Sequence, residues 1–174
     1  MKKLLYINLL LALVIPLYAN AQDSLVSKGY SGGFEFYVGP GRNIVYRNPF
    51  EIGFQTFHGY RFSPLFSLHL GIGIQTDNLF PIALPIHLDA LFDLGKNGLR
   101  PFVQAGAGYG IPLGYEFGGA NAQLALGIRY PMGSRLGGTV SLAGRLQRHS
   151  EDVYGPLMVT SRYIEFRLGL AFGS

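Results

Sequence analysis

From Gly29 to the C-terminus, apolar side chains recur at every second position in eight successive stretches, the spacing that places them on one face of a β-strand. The pattern predicts strands over Tyr30–Gly39, Phe50–Phe62, Phe66–Thr76, Phe80–Leu94, Leu99–Ile111, Gly118–Tyr130, Leu136–Arg148 and Ser161–Gly173. The last stretch is the plainest: Ile164, Phe166, Leu168, Leu170 and Phe172 fall on one face, and Tyr163, Glu165, Arg167, Gly169 and Ala171 on the other. The third sets Phe66, Leu68, Leu70, Ile72 and Ile74 against Ser67, His69, Gly71, Gly73 and Gln75. No stretch calls for a helical period, so the class is all-β.

Alternation alone does not say which face is inside. A soluble barrel turns its apolar set inward, whereas a transmembrane barrel turns it toward lipid and keeps a polar interior. Length favours the second arrangement, because strands of about ten residues cross a bilayer when tilted, while strands of soluble proteins run about 5 to 6 residues. The connections also alternate, with short ones at 63–64, 95–98 and 131–134 and longer ones at 40–49, 110–117 and 149–160, apart from a brief one at 77–79. Tight periplasmic turns and longer outer loops give that alternation. The face opposite the continuous apolar set is rich in glycine (Gly71, Gly73, Gly106, Gly108, Gly127, Gly137), as a narrow lumen requires. Aromatic residues fall near strand ends, with Phe34, Phe62, Phe66, Phe92, Tyr130 and Phe172 toward one rim and Phe50, Phe80 and Tyr109 toward the other. They are the expected interfacial girdles. The expected architecture is an eight-stranded antiparallel up-and-down transmembrane β-barrel.

Pro81 and Pro85 fall inside the fourth stretch, where a closed barrel offers no free edge for a missing N–H. Either the regular strand starts near Ile86 and the outer loop extends over 77–85, or a bulge absorbs the prolines.

The N-terminus departs from the alternating pattern. Met1-Lys2-Lys3 precedes an apolar run from Leu4 to Tyr18, and Ala19-Asn20-Ala21 follows, the layout of a cleaved secretory signal. The run is short of the ~20 residues that span a bilayer and carries Pro16 near its end, which disfavours a membrane anchor. The expected division is a signal over 1–21 and a single barrel domain over 22–174. The chain has 14 Lys and Arg against 10 Asp and Glu, a net charge of +4. Without Lys2 and Lys3 the excess falls to two, with no basic run, so a nucleic-acid partner loses its support. There is no cysteine, and stability must come from packing, hydrogen bonds and the membrane.

The final strand, Tyr163-Ile164-Glu165-Phe166-Arg167-Leu168-Gly169-Leu170-Ala171-Phe172, resembles the alternating, aromatic-ended strand of small outer-membrane barrels. The whole of 22–174 is similar to the OmpX and OmpA transmembrane-domain type, though the chain closes on Phe172-Gly173-Ser174 rather than on the aromatic itself. The resemblance implies an outer-membrane location and recognition of the last strand by the barrel-assembly machinery. It also implies a monomer in contact with outer-membrane lipid and lipopolysaccharide. The loops add Arg42, Tyr46, Arg47, Tyr115, Glu116, Glu151, Asp152 and Tyr154, a mixture suited to lipopolysaccharide or a surface partner but common on exposed loops.

Three constellations could carry chemistry. Arg145-Leu146-Gln147 followed by His149, Ser150 and Glu151 resembles the site of outer-membrane lipid A deacylases. In that family His and Ser are separated by one residue and share a side, whereas His149 and Ser150 are adjacent and the expected loop leaves them unaligned. His69, His87 and Asp89 share the lumen face, either as a metal or acid–base site or as hydrogen-bonded filling of a polar interior. The Gly-rich runs Gly39-Pro40-Gly41-Arg42 and Gly106-Ala107-Gly108-Tyr109-Gly110 lie between no strand and helix, so they build no phosphate cradle. The lumen face also collects charge: Glu35, Glu51, Arg61, Asp89, Asp93, Arg100, Arg129, Arg145, Glu165 and Arg167. A tight turn at 95–98 sets Asp93 opposite Arg100, and closing the 149–160 loop sets Arg145 near Glu165. The expected function is a non-catalytic one carried by the outer loops, with no cofactor or metal; the alternatives are a lipid A-modifying hydrolase and a small channel.

Ala19 and Ala21 supply the small side chains that a signal peptidase accepts. Cleavage between Ala21 and Gln22 is therefore expected, and N-terminal sequencing of the exported protein reads it; a sequence starting at Met1 would contradict it.

Overall fold

In a computed structural model of the chain, the described residues are 28–43, 48–77, 82–95, 98–113, 118–133, 135–151 and 157–173. The expected signal segment lies outside them. Eight strands follow in order: β1 (Gly29–Asn43), β2 (Phe50–Ser63), β3 (Phe66–Asp77), β4 (Ala83–Asp93), β5 (Arg100–Pro112), β6 (Gly119–Pro131), β7 (Leu136–Glu151) and β8 (Leu157–Gly173). Each pairs antiparallel with its neighbour, and β1 pairs with β8, closing the barrel. Closure leaves no sheet edge unpaired, which a strand protein needs in hydrocarbon.

The polarity is inverted relative to a soluble protein. Leu70, Ile74, Leu88, Leu126, Leu142, Ile164 and Phe166 are exposed, while Glu35, Asp89, Arg145, Glu165 and Arg167 are buried. Burial alternates residue by residue along β2 and β6, so the period of two in the sequence separates a lipid face from a lumen face. The girdle toward the tight turns is built of touching rings, with Phe62, Phe66 and Phe92 in sequence at 5.9 and 5.0 Å between centroids and Tyr30 against Phe172 at 6.2 Å. Phe50 and Tyr109 are exposed toward the other rim; Phe80 lies outside the described residues.

Several boundaries differ from the sequence reading. β1 continues through Pro40 to Asn43, so Arg42 is on a strand rather than in a loop. β7 and β8 extend toward each other, and His149, Ser150 and Glu151 pair through their backbones with Val159, Met158 and Leu157. They are strand residues, not the loop expected over 149–160. The outer connections are 44–49, 78–82, 113–118 and 152–156, of which 78–82 is longer than the 77–79 expected and the other three are shorter, against 64–65, 94–99 and 132–135 at the other rim, so the two rims differ less in loop length than expected. Tyr46, Arg47, Tyr115, Glu116, Asp152 and Tyr154 lie outside the described residues.

The fourth strand begins at Ala83. Pro81 lies outside the described residues, and Pro85 is accommodated without a bulge. Its pairing with β5 is kept at Gly110, whereas the pairing with β3 lapses after Ile72↔Ile86 and resumes in the same register at Gln75↔Ala83. The missing N–H is thus absorbed as an interrupted ladder.

Small lumen residues make room for large ones opposite. Gly53 faces Tyr37 across β1 and β2, and a Cβ there would overlap the tyrosine ring. Gly106 stands likewise against the Asp89 carboxylate. Glycine is required at both positions by close approach rather than by backbone conformation.

Candidate functional site

The lumen holds the chemically distinctive part of the molecule. Alternation carries Glu35 inward from β1, Glu51 and Arg61 from β2, Asp89 and Asp93 from β4, Arg129 from β6, Arg145 from β7, and Glu165 and Arg167 from β8; all are buried. Arg100 enters from β5 and is partly exposed. All ten charged positions expected on the lumen face are therefore on it. They divide into two groups.

The larger group fills the middle and outer half. Arg145 forms ion pairs with Glu51 and with Glu165, the latter at 2.9 Å. Arg167 meets the same Glu165 through Nε at 2.9 Å and Nη2 at 2.6 Å, and reaches Glu35 at 3.9 Å. Gln55 donates to Glu35 at 3.0 Å. The amides extend the system: Arg145 donates to Gln75 at 2.6 Å, Tyr37 donates to the same oxygen at 3.2 Å, and Gln75 donates to Gln147 at 3.2 Å. On the other side Arg167 donates to Gln123 at 2.7 Å, and Gln123 to Asp89 at 2.6 Å. The Tyr37 ring lies between two guanidinium groups, 5.6 Å from that of Arg145 and 5.7 Å from that of Arg167, and Tyr163 stacks on Arg145 at 5.1 Å. Cation–π contacts of this kind strengthen once water is excluded.

The smaller group lies at the tight-turn rim. Asp93 pairs with Arg129 at 3.2 Å and with Arg61 at 3.5 Å, while Arg129 also stacks on Phe102 at 5.9 Å. Arg100 belongs to the same rim. The sequence expectation of Asp93 opposite Arg100 is corrected, because Asp93 faces Phe102 across the hairpin and Leu94 N–H donates to the Pro101 carbonyl. Its carboxylate is instead held by β2 and β6, strands two removed on either side. Arg145 near Glu165 is found as expected, by a diagonal rather than a direct pairing.

The division shows in the ion pairs. Among the described residues, Arg61 and Arg129 pair with Asp93, whereas Arg145 and Arg167 pair with Glu35, Glu51 and Glu165. The alternating pattern contains each residue but not this grouping, which depends on which side chains meet across the lumen.

His69 faces Asp89 across β3 and β4, with His87 facing Gly71 one rung away. His69 Nε2 lies 3.1 Å from Ser31 Oγ, and its ring meets Phe57 edge-on at 5.3 Å. Among the described residues, no three His, Asp or Glu side chains are grouped to hold a metal. A small cavity beside them, lined by Glu35, His69, Gln104, Arg129 and Thr139, has room for about one water. His149, Ser150 and Glu151 are consecutive at the end of β7; their side chains lie outside the described residues.

Asp93 pairs with two buried arginines, so its removal takes from both the ion pair they make among the described residues. Asp93→Ala is expected to destabilise the barrel by about 3 to 5 kcal/mol. In double-mutant cycles read by urea unfolding, the Asp93–Arg129 coupling should fall within about 0.5 to 3 kcal/mol and exceed the Asp93–Arg100 coupling. A larger coupling with Arg100 would reverse the assignment.

No protein-family model matches the chain, and no curated protein matches its sequence. Solved structures do match its fold. Neisserial surface protein A aligns with a TM-score of 0.64 at 11% identity, covering 84% of this chain and 98% of that one. The N-terminal β-barrel domain of Pseudomonas aeruginosa OprF aligns at 0.50 and 20% identity, covering 84% and 100%. The outer membrane enzyme PagL aligns at 0.50 and 11% identity, covering 76% and 97%. With its inverted polarity, closed eight-stranded topology and charged lumen, the chain has the fold of the small outer-membrane β-barrels.

Proposed function

We propose that the chain is an integral outer-membrane protein that catalyses no reaction and serves the cell through its surface, by contacts made at the rim opposite the tight turns. The observation that carries this reading is the filled lumen. Arg145 and Arg167 tie β1, β2, β7 and β8 together across the interior, and an eight-stranded barrel has little room beyond its own side chains. A lumen so occupied favours a scaffold over a solute passage, and leaves the outer rim and the lipid face as the surfaces available for contact. In this reading residues 1–21 direct export, the last strand is read by the assembly machinery, and the barrel works as a monomer among outer-membrane lipids and lipopolysaccharide.

The rival reading is a lipid-modifying hydrolase centred on His149, Ser150 and Glu151. PagL is an outer membrane enzyme, so the fold alone is compatible with catalysis. Consecutive strand positions are the arrangement least suited to a nucleophile and its base, which need hydrogen-bond reach from one side.

Two measurements separate these readings. In planar bilayers the purified barrel is expected to show no stable conductance on the nanosiemens scale; such a conductance would establish an open passage. Mass spectrometry of lipid A from cells with the wild-type protein, His149→Ala, Ser150→Ala or no protein should give one pattern. A lipid product lost in either variant would put the hydrolase first.

A further inference from the structure

The outward face of the barrel is apolar along almost its whole height, and its charged exceptions among the described residues are localised. Among the described residues, the charged side chains on the outward positions of the strands are Arg42 of β1, Arg148 of β7 and Arg162 of β8, all exposed. Those strands are neighbours in the closed sheet. Arg42 and Arg162 are direct cross-strand partners, while Arg162 faces Leu146 and Arg148 faces Thr160, so Arg148 is diagonal to Arg162. Direct partners hold their Cβ atoms about 5 Å apart and diagonal ones about 7 to 8 Å apart. Three guanidinium groups therefore share one small patch.

Like charges directly opposite on a sheet repel, and an anion seated over them relieves that repulsion. Height along the barrel says what that is. From the girdle residue Phe172 to Arg162 the strand rises about 33 Å along its length, which a tilt of about 40° reduces to about 25 Å, the height of the apolar band of an outer-membrane barrel. The patch thus lies at the far edge of the hydrocarbon, on the rim opposite the tight turns. In the orientation of these barrels that rim faces the cell exterior. Below it, Leu142, Leu146, Ile164, Phe166 and Phe36 present a continuous exposed apolar surface, so one ligand could meet cations at its head and side-chain hydrocarbon along its tails.

We propose that Arg42, Arg148 and Arg162 form a binding site for the phosphorylated headgroup of an outer-leaflet lipid, whose acyl chains lie along β7, β8 and β1. Guanidinium groups suit phosphate because each offers two parallel N–H donors, and phosphate bridging Arg42 and Arg162 turns their repulsion into attraction. The site rests on the membrane-embedded reading above and names the partner that the outer rim contacts.

The test uses the full barrel, refolded in neutral detergent, with diphosphoryl lipid A as the probe. Native mass spectrometry should show lipid A retained by the wild type and at least ten-fold less retained by R42Q/R148Q/R162Q. R135Q, which alters an exposed arginine at the tight-turn rim, should retain as much as the wild type, and lipid A stripped of its phosphates should be retained by none. Should the triple variant fail to fold, R162Q alone carries the test, because it removes the arginine between the other two. In neutral detergent R162Q should melt no lower than the wild type, since it relieves repulsion, whereas added lipid A should raise the melting temperature of the wild type more than that of R162Q. Equal retention by wild type and variants, retention without phosphates, or an equal rise in melting temperature would overturn the site. An unheated-versus-boiled gel keeps this separate from the broader reading: a barrel that folds in detergent yet ignores phosphate loses only the lipid site. A chain that stays soluble and folded without detergent loses the membrane reading itself.

Discussion

The structure depends on a charged interior being made neutral, locally, inside a closed sheet. The outward leucines, isoleucines and phenylalanines face lipid, so most of the apolar surface does not pack across the lumen, where Phe57, Leu91 and Phe102 are buried among polar side chains. Cohesion across the lumen falls to Glu51, Arg145, Glu165, Arg167 and Glu35, linked in one chain of ion pairs. Charges this deeply buried are tolerable only when paired and hydrogen-bonded. The surrounding glutamines supply further partners, and Tyr37 holds both arginines against one ring. Gly53 is small because that ring needs its space.

The same constraint shapes the outer surface. A barrel whose interior takes the charge can leave nearly all of its outward positions apolar, and charges that remain outward stand out for that reason. Arg42, Arg148 and Arg162 are such charges, and their cluster at one edge of the apolar band marks where hydrocarbon gives way to headgroups. Pro85 illustrates the complementary economy of the backbone: the ladder toward β3 lapses while the register on both sides is kept.

Much of this was legible in the sequence, because a period of two is a direct image of a two-faced strand. The parity of Glu35, Asp89 or Arg167 assigned it to the lumen without knowledge of its neighbours. The partners were less legible, for a geometric reason. In a narrow barrel a side chain reaches across the lumen, so Asp93 of β4 finds arginines on β2 and β6, and Arg145 of β7 finds Glu51 on β2. Hairpin reasoning sees only adjacent strands, and a two-residue change in turn register moved Phe102, not Arg100, opposite Asp93. Strand ends were also understated, since Pro40 and the polar run after Arg148 look like loop chemistry although the backbone continues to pair to Asn43 and Glu151. The clustering of outward arginines was hidden because Arg42 and Arg162 are far apart in sequence and meet only through the closure of β1 on β8.

Equilibrium unfolding of Arg145→Met, set beside the double substitution Arg145→Met and Glu51→Gln, tests the central claim most directly. If the interior is held by mutual neutralisation, the single substitution strands the buried Glu51 carboxylate, while Glu165 keeps Arg167, and destabilises the barrel by about 3 to 5 kcal/mol, and the double regains most of that loss. A double variant as unstable as the sum of its parts would show that these residues contribute singly, and that the barrel does not rest on their pairing.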